Sequence, residues 1–213
     1  GVTYNDGTLQ SSAPVGRNRI INGNMQVWQR GTSFASGTGT LTYTADRFAV
    51  FATGASVAAT QVSGPAGYKY AFQITGAASN TNAQLYQRIE SLNCSDLSGA
   101  TITISVNLAS SSPQTVGWAL QFPTASDNYT STTAIGSGTW SVTSTATTFT
   151  ATVTNLPAGV LNGMQLIIGA NTFGAFTSGT LTVTGVQLET GTTATDFENL
   201  QYGQQLALCQ RYY

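Results

Sequence analysis

Short runs in which apolar residues alternate with polar ones recur along the middle of the chain. The clearest is Ile102–Leu108, where isoleucine, valine and leucine alternate with threonine, serine and asparagine. Because successive side chains of a β-strand point to opposite faces, this run predicts a strand with one buried and one polar face. Further alternating runs begin at Phe48, Tyr70, Val116 and Phe149. Glycine-rich breaks separate them, and short strands spaced in this way predict an all-β sandwich or barrel.

The alternation slips by one residue in a strand predicted near the end of the chain. Leu181 and Val183 are odd-numbered, Val186 and Leu188 are even-numbered, and Gly185 lies between the two pairs. A β-bulge adds one residue to a strand, and an isolated glycine within a strand often marks one. We therefore predict a bulge at Gly185 that returns both pairs to the same face.

Two of the three tryptophans share the phase of apolar neighbours. Trp118 is in phase with Val116 and Leu120, and Trp140 is in phase with Val142. This placement predicts that both are core residues.

The least generic stretch is Arg17–Gly31, which carries three of the seven basic residues. Ile21, Met25 and Val27 are all odd-numbered, so a strand here would bury them on one face. Trp28 would then point the other way, either into a second layer or toward a ligand. We predict that the three apolar side chains are buried.

Only the end of the chain has a helical pattern. Asp196 or Asn199 can cap a helix, Gly203 indicates a bend, and no helix breaker follows as far as Gln210. A helix of about two turns is marginal alone, so we expect it to dock on the sandwich or on a neighbouring subunit. The residues predicted at a subunit contact are Leu206, Leu208, Arg211, Tyr212 and Tyr213. The predicted organisation is a lead-in from an upstream segment over 1–16, a sandwich over 17–200 and a helical segment over 201–213.

The chain carries little charge. Charged residues make up 7% of it, against about 25% in an ordinary globular domain, and the net charge is -1. This balance argues against binding to nucleic acid or anionic lipid, and no apolar run approaches the roughly 20 residues of a membrane helix. The surface suits hydrogen bonding to a neutral polar partner, or burial in an assembly.

No nucleophilic, phosphate-binding or zinc-binding motif is found. Histidine is absent, which removes the Ser-His-Asp triad and the commonest metal ligand. Lys69 is the only lysine and belongs to no phosphate-binding loop, and Cys94 and Cys209 form no zinc motif. The polar opening residues do not resemble a signal peptide, so we expect assembly in a reducing cytoplasm, with both cysteines as free thiols.

Paired carboxylates are the one route to catalysis left open, through a glycosidase mechanism. The candidates are Asp46 with Glu90, or Asp127. Arg47 adjoins Asp46 and Arg88 lies near Glu90, which favours ion pairs over an acid–base pair.

A sugar-binding site needs an exposed aromatic face beside planar amide or carboxylate groups. The candidate ligand-binding residues are Trp28, Tyr43, Asp127, Asn128 and Tyr129. Tyr129 ends the polar sequence Ser-Asp-Asn-Tyr and is the best candidate for an exposed ring. For each aromatic residue the alternative place is the core or a subunit interface.

Both ends of the chain resemble a module of bacteriophage tail-fibre proteins. The resemblance rests on Asn18–Gly31 with Ala45–Phe48, on Gly185–Glu189 with Asp196–Tyr213, and more weakly on Leu85–Glu90. It implies an antiparallel jelly-roll β-sandwich similar to carbohydrate-binding modules, near the tip of a homotrimeric fibre beside other fibre domains. It also implies a place in the virion after assembly in the host cytoplasm. The opening stretch should then lie beside Gly185–Glu189.

The resemblance also raises the question of calcium. Sandwich modules that bind carbohydrate often hold a structural Ca²⁺ where the first strand meets the last. Here Gln26 stands in place of a carboxylate, and the far end offers Glu189. Because Ca²⁺ prefers several hard oxygens, usually with more than one carboxylate, we predict no well-bound calcium and no other cofactor.

Together with the lack of a catalytic motif, the resemblance implies a non-enzymatic phage tail-fibre domain for adhesion to the host surface. The expected partner is a bacterial cell-surface glycan or surface protein. One alternative is a structural module that trimerises or caps the fibre, or decorates the virion, without binding sugar. The other is a polysaccharide depolymerase.

Overall fold

The structure, a computed structural model, describes residues 16–211. Twelve β-strands and one α-helix form in this part of the chain. They are β1 Ser33–Ala35, β2 Leu41–Tyr43, β3 Phe48–Thr53, β4 Ala58–Ser63, β5 Tyr70–Thr75, β6 Asn82–Ile89, β7 Ile102–Ser110, β8 Gln114–Ala125, β9 Asn128–Val142, β10 Thr147–Val153, β11 Met164–Gly169, β12 Thr180–Thr190 and α1 Tyr202–Gln210. The lead-in expected over 1–16 lies outside the described residues apart from Gly16, as do Tyr212 and Tyr213.

The strands form two antiparallel sheets that pack face to face. The first sheet has the order β1-β4-β5-β12-β7-β10, and the second has the order β2-β3-β6-β11-β8-β9. From β3 onward the chain passes repeatedly from one sheet to the other, so strands that are distant in sequence become neighbours. This is the jelly-roll β-sandwich with a short C-terminal helix that we expected, and the predicted fold class is confirmed.

The apolar side chains of the alternating runs fill the space between the sheets. The four alternating apolar residues of β7, Ile102, Ile104, Val106 and Leu108, are fully buried. Trp118 and Trp140 are each 7% exposed and stack with ring centres 6.0 Å apart, which confirms that both belong to the core.

The polar side of β7, which points away from the core, is covered as well. Thr103 and Ser105 are only 2% and 6% exposed. The Thr103 hydroxyl donates to the carbonyl oxygen of Gly191 at 2.8 Å, so the chain that leaves β12 lies over this face. The second face of β7 is therefore polar, as predicted, but it is not open to solvent at these two residues.

The opening stretch is buried, but it is not a strand. Ile21, Met25 and Val27 are 7%, 0% and 0% exposed, which confirms their predicted burial. Asn22 and Met25 have φ angles of 62° and 57°, so the backbone turns through left-handed conformations instead of extending. The Asn22 side chain holds this turn, since its amide donates to the carbonyl of Val27 and accepts from the Val27 N–H, both at 2.9 Å.

The opening stretch lies beside β12, as predicted. The N–H of Arg19 donates to the Leu188 carbonyl at 2.8 Å, and the N–H of Val186 donates to the Gly23 carbonyl at 3.0 Å. A Cβ atom added to Gly23 would lie 2.0 Å from the Val186 carbonyl oxygen. Glycine is therefore required where the two backbones meet.

The predicted bulge is present in β12. The register with β7 shifts between Thr184 and Gln187, and Gly185 has a φ of 59°. The apolar pairs on either side of the bulge are all fully buried, so the extra residue returns both to the core.

The helix α1 spans nine residues and begins one residue after its cap, Gln201. The N–H of Gln201 donates to the Gln204 side chain at 3.4 Å. The predicted caps Asp196 and Asn199 are therefore wrong, because the segment before Gln201 is hydrogen-bonded to β12 and to the opening stretch.

No helix in residues 16–211 is long and apolar enough to cross a membrane.

The apolar side of α1 packs on its own sandwich. Cys209 is buried, and Leu206 and Leu208 are partly buried, against apolar side chains of the opening stretch. Arg211, just after the helix, is exposed. Part of the surface predicted for a subunit contact is thus used within the chain, and the trimer contact itself stays a prediction.

Both cysteines are free and buried, in separate clusters. Cys94 belongs to the main core between the sheets, and Cys209 lies under α1. Burial raises the pKa of each thiol to about 12.

We expect neither thiol to react with a thiol reagent in the native protein at pH 8. With a pKa of about 12, roughly one thiol in ten thousand is ionised at that pH, and only the thiolate is reactive. Unfolding in guanidinium chloride without reductant should make both react. Rapid labelling of the native protein, or fewer than two reactive thiols after unfolding, would contradict this.

Candidate functional site

Two of the carboxylates considered for an acid–base pair are held by protein donors. Asp46 is buried and accepts hydrogen bonds from the backbone and side-chain N–H groups of Gln29. Glu90 forms an ion pair with Arg47. The expected pairing of Glu90 with Arg88 is wrong, because the Arg88 guanidinium lies over an aromatic ring instead.

The turn between β8 and β9 carries Asp127, with Asn128 as the first residue of β9. The two oxygens of Asp127 accept hydrogen bonds from the N–H and the hydroxyl of Ser91, at 2.7 Å each. The Asn128 side chain accepts from the N–H and hydroxyl of Thr130 at 3.2 and 2.8 Å. Within residues 16–211, no group of three or more His, Cys, Asp or Glu could hold a metal ion.

Tyr129 is half-buried on β9, so the expectation that it projects from an exposed loop is wrong. Its hydroxyl lies 2.8 Å from the carbonyl oxygen of Ile89 and 3.1 Å from that of Met164. The guanidinium carbon of Arg88 lies 4.6 Å from its ring centre. Burial is the main cause that raises the pKa of Tyr129 above its usual range. The side chain therefore positions Arg88 and does not offer a free ring.

Polar side chains of β6 lie on the side of the second sheet that faces away from the core. Gln84, Tyr86 and Arg88 alternate with the inward-facing residues of this strand. The strand register places Gln165 of β11 opposite Arg88, and Gln121 of β8 opposite Gln165. We name the surface around these five residues the outer face.

Hydrogen bonds fix the side chains of the outer face. Gln165 Nε2 donates to Gln121 Oε1 at 2.7 Å, and the Thr132 hydroxyl donates to the same oxygen at 2.9 Å. The Tyr86 hydroxyl donates to Gln84 Oε1. Among the described residues nothing donates to Gln165 Oε1, so this oxygen is available as an acceptor. Planar amides held in this way present donors and acceptors in fixed directions.

The outer face is sheltered, although it points away from the core. Gln165, Ile167 and Gln84 are only 6%, 5% and 9% exposed. Outward-pointing side chains of a sheet are this buried only where neighbouring groups rise around them. Tyr86 is half-buried, and this burial raises the pKa of its hydroxyl. The positive charge of Arg88 lowers the same pKa, but by less. Partial enclosure with a few fixed polar groups is typical of a ligand site.

One wall of the outer face is Phe173, in the loop after β11. Asn171, Thr172 and Phe173 have φ angles of 47°, 54° and 64°, three successive left-handed residues without a glycine. The Phe173 ring lies over Gly117 and Gly169, where added Cβ atoms would come within 2.7 and 2.2 Å of it. Each left-handed residue costs on the order of 1–3 kcal/mol, and such strain clusters at functional sites.

Tyr43 extends the outer face to the edge strand β2. It pairs with Ala49, which pairs with Tyr86, so the two tyrosines lie in one row about 10 Å apart. The ring of Phe51 meets the Tyr86 ring edge-on at 6.3 Å. Tyr43 is 42% exposed, with the guanidinium of Arg30 5.7 Å from its ring centre. Tyr43 is therefore the one predicted ligand residue that presents an exposed ring on this face.

Trp28 packs on the first sheet instead. Its ring stacks with Phe72 at 5.3 Å and with Phe34 at 6.3 Å, and its indole N–H donates to the Met25 carbonyl at 2.9 Å. It is half-buried, which supports the burial alternative for this residue. It also lines a separate cavity of about 400 Å³, together with Gln26, Thr32, Gln61, Lys69, Tyr70 and Tyr202.

Glu189, considered as a calcium ligand, is occupied by protein donors. Its carboxylate accepts hydrogen bonds from the Gln187 side chain at 2.9 Å and from the N–H and hydroxyl of Thr195 at 2.8 and 2.7 Å. Arg17 Nε lies 3.4 Å away. Gln26 lines the separate cavity described above, and Glu189 does not.

Most of the outer face was missed by sequence reasoning. Tyr86 was one of several available tyrosines, Arg88 was considered only as an ion partner of Glu90, and Gln84, Gln121 and Gln165 were not singled out. A partial signal was present in β6, where Gln84, Tyr86 and Arg88 share one phase and Leu85 and Ile89 share the other, with Gln87 as the polar exception.

Comparison with known proteins gives a fold but no sequence relative. No protein-family model matches the chain, and no curated protein matches it. A putative sugar binding protein from Bacteroides thetaiotaomicron VPI-5482 aligns with a TM-score of 0.53 and 12% identity, over 82% of this chain and 100% of that one. A CBM4 structure aligns with a TM-score of 0.50 and 18% identity, over 81% and 99% of the two chains.

A phage protein is also among the structural neighbours. The enzymatically active domain of tailspike protein 4 from bacteriophage CBA120 aligns with a TM-score of 0.49 and 14% identity, over 82% of this chain and 22% of that one. That score is too low to support an argument. The two stronger likenesses show the fold alone, which is the jelly roll of carbohydrate-binding modules. The resemblance predicted for the fold is confirmed, and a place in a tail fibre stays a prediction.

Proposed function

We propose that this domain binds a glycan on the outer face and does not alter it chemically. The observation that carries this proposal is the presence of Tyr86 and three fixed glutamine amides, those of Gln84, Gln121 and Gln165, on one sheltered surface. A sugar ring has apolar C–H patches and a rim of hydroxyls that both donate and accept hydrogen bonds. Aromatic rings match the patches, and planar amides match the hydroxyls.

The state of the carboxylates favours binding over hydrolysis. A glycosidase needs two carboxyl groups roughly 5–9.5 Å apart around the scissile bond. Two of the candidate carboxylates already have protein partners. Asp127 accepts hydrogen bonds from Ser91, and Glu90 forms an ion pair with Arg47. The polar groups described on the outer face itself are amides, a phenol and a guanidinium. A depolymerase is therefore the less favoured candidate.

The setting that we propose is the tip of a trimeric phage tail fibre, where the domain attaches the virion to the host surface. The resemblance of Asn18–Gly31 and of Asp196–Tyr213 to tail-fibre modules supports this setting. A module that only trimerises or caps the fibre is the alternative. The sheltered amides of the outer face favour sugar binding, since a cap has no need of an unoccupied acceptor such as Gln165 Oε1.

A screen against purified bacterial surface polysaccharides tests glycan binding. Tyr86→Ala and Gln165→Ala should each weaken the affinity about tenfold or more, because each removes a contact from the centre of the face. Thr150→Ala is the matched control, since Thr150 is exposed on the other sheet and should not contribute.

Three results would count against the proposal. The wild-type domain binding no polysaccharide would favour the structural alternative. Unchanged affinity in both variants would move the site away from the outer face. Shortened polysaccharide recovered after incubation would favour a depolymerase.

A further inference from the structure

Arg88 differs from three other arginines of the chain in its charge partner. Each of the three has a carboxylate oxygen within 4.0 Å, as Arg17 has from Glu189, Arg19 from Asp96 and Arg47 from Glu90. In residues 16–211 no carboxylate lies that close to Arg88. Its guanidinium carbon lies 4.6 Å from the centre of the Tyr129 ring instead.

The Tyr129 ring is a rigid support for this guanidinium. The Tyr129 hydroxyl is fixed by the carbonyl oxygens of Ile89 and Met164. Gly163 makes room for it, since an added Cβ there would lie 2.6 Å from the hydroxyl oxygen. A guanidinium stacked on a ring keeps its N–H groups free at its edge, where they can meet an anion in a planar, two-pronged geometry.

Arg88 lies within the outer face, not beside it. It stands opposite Gln165, which stands opposite Gln121, so the cation and two amides form one row across three strands. Asp127 and Glu90, whose charges act on Tyr129, have other partners, because Asp127 accepts hydrogen bonds from Ser91 and Glu90 forms an ion pair with Arg47. A fixed cation in the same row as the two amides proposed to bind sugar is suited to a sugar that carries negative charge.

We infer that the glycan bound on the outer face is acidic, and that its carboxylate or phosphate group is bound by Arg88. This inference rests on the proposed function and adds the chemical class of the ligand. A uronic acid and a phosphate-linked repeat share the required chemistry, a compact anion with two oxygens for the guanidinium. Sugar hydroxyls beside that anion would meet Gln165 and Gln121.

Calorimetric titration with matched probes tests the inference. The probes are a polyuronate oligosaccharide, the same oligosaccharide with its carboxylates reduced to alcohols, poly(glycerol phosphate), and a neutral polysaccharide taken from the binding screen. The wild-type domain should bind at least one acidic probe about tenfold or more tighter than the neutral probes. The acidic probe that binds tells uronate from phosphate. The preference should shrink as NaCl is raised, because salt screens the attraction.

Arg88→Gln should weaken binding of the acidic probe far more than binding of the neutral probes, so that the preference for the acidic probe is lost. Arg88→Lys keeps the charge without the planar fork and should retain part of the preference. Thermal unfolding will show whether Arg88→Gln folds. If it does not, Arg88→Lys alone tests the preference. Equal binding of acidic and neutral probes by the wild type, or a preference that survives in Arg88→Gln, would overturn the inference and leave glycan binding intact. Failure of every probe and every screened polysaccharide would overturn both.

Discussion

Glu189→Ala is expected to lower the free energy of unfolding by about 3–5 kcal/mol. The Glu189 carboxylate is 3% exposed and accepts hydrogen bonds from Gln187 and twice from Thr195, with Arg17 as its ion partner. Alanine would leave the Arg17 charge without its partner and several donors without an acceptor. Little water can replace the lost oxygens, so most of the desolvation penalty would remain.

Asp96→Ala is the matched control for Glu189→Ala. Asp96 is also an arginine partner, at 2.6 Å from Arg19, but its side chain is 56% exposed. An exposed ion pair contributes about 0–1 kcal/mol, so this variant should unfold close to the wild type. Urea unfolding followed by tryptophan fluorescence measures both. Similar losses in the two variants would show that burial of the Glu189 network does not stabilise the fold as described.

The strands and the bulge of β12 could be predicted because their signals are local. Alternation in Ile102–Leu108 reports which side chains face the core, whatever else surrounds the strand. The slip of phase at Gly185 reports a bulge in the same way. Alternation does not indicate what covers the polar side of a strand, and the chain around Gly191 covers Thr103 on that side of β7.

The opening stretch shows where local reasoning fails. The burial of Ile21, Met25 and Val27 followed from their apolar character, but a strand did not. The turn depends on the Asn22 side chain bonding to Val27 and to the carbonyl of Asp46, and the second contact is far away in sequence. An asparagine that tolerates a positive φ is a weak signal until its partners are known.

The candidate site could be predicted only in part. The shared phase of Tyr86 and Arg88 in β6 was available from the sequence, whereas the position of Gln165 opposite them depends on which strands become neighbours. Phe173 reaches the face through a strained loop that no periodicity reports. The polar neighbours of Tyr129 predict an exposed ring, whereas its hydroxyl reaches carbonyl groups on two other strands, which the local sequence does not indicate.

Gly23→Ala should destabilise the domain by about 1–3 kcal/mol or more, through overpacking at the junction of its two ends. The added methyl carbon would lie 2.0 Å from the Val186 carbonyl oxygen and 3.3 Å from the ring of Phe197. Neither the oxygen nor its carbonyl carbon can move without shifting the bulge of β12. The hydrogen bond from the Val186 N–H to the Gly23 carbonyl should weaken as the backbones separate.

Gly203→Ala separates this local clash from the general effect of replacing a glycine. Gly203 lies in α1, and an added Cβ there meets nothing within 4 Å. Alanine is favoured over glycine inside a helix by about 1 kcal/mol, so this variant should be as stable as the wild type or slightly more stable. Urea unfolding of both variants gives the comparison. Wild-type stability in Gly23→Ala would mean that the opening stretch and β12 do not meet as closely as described, because no rearrangement of side chains alone can accommodate that methyl group.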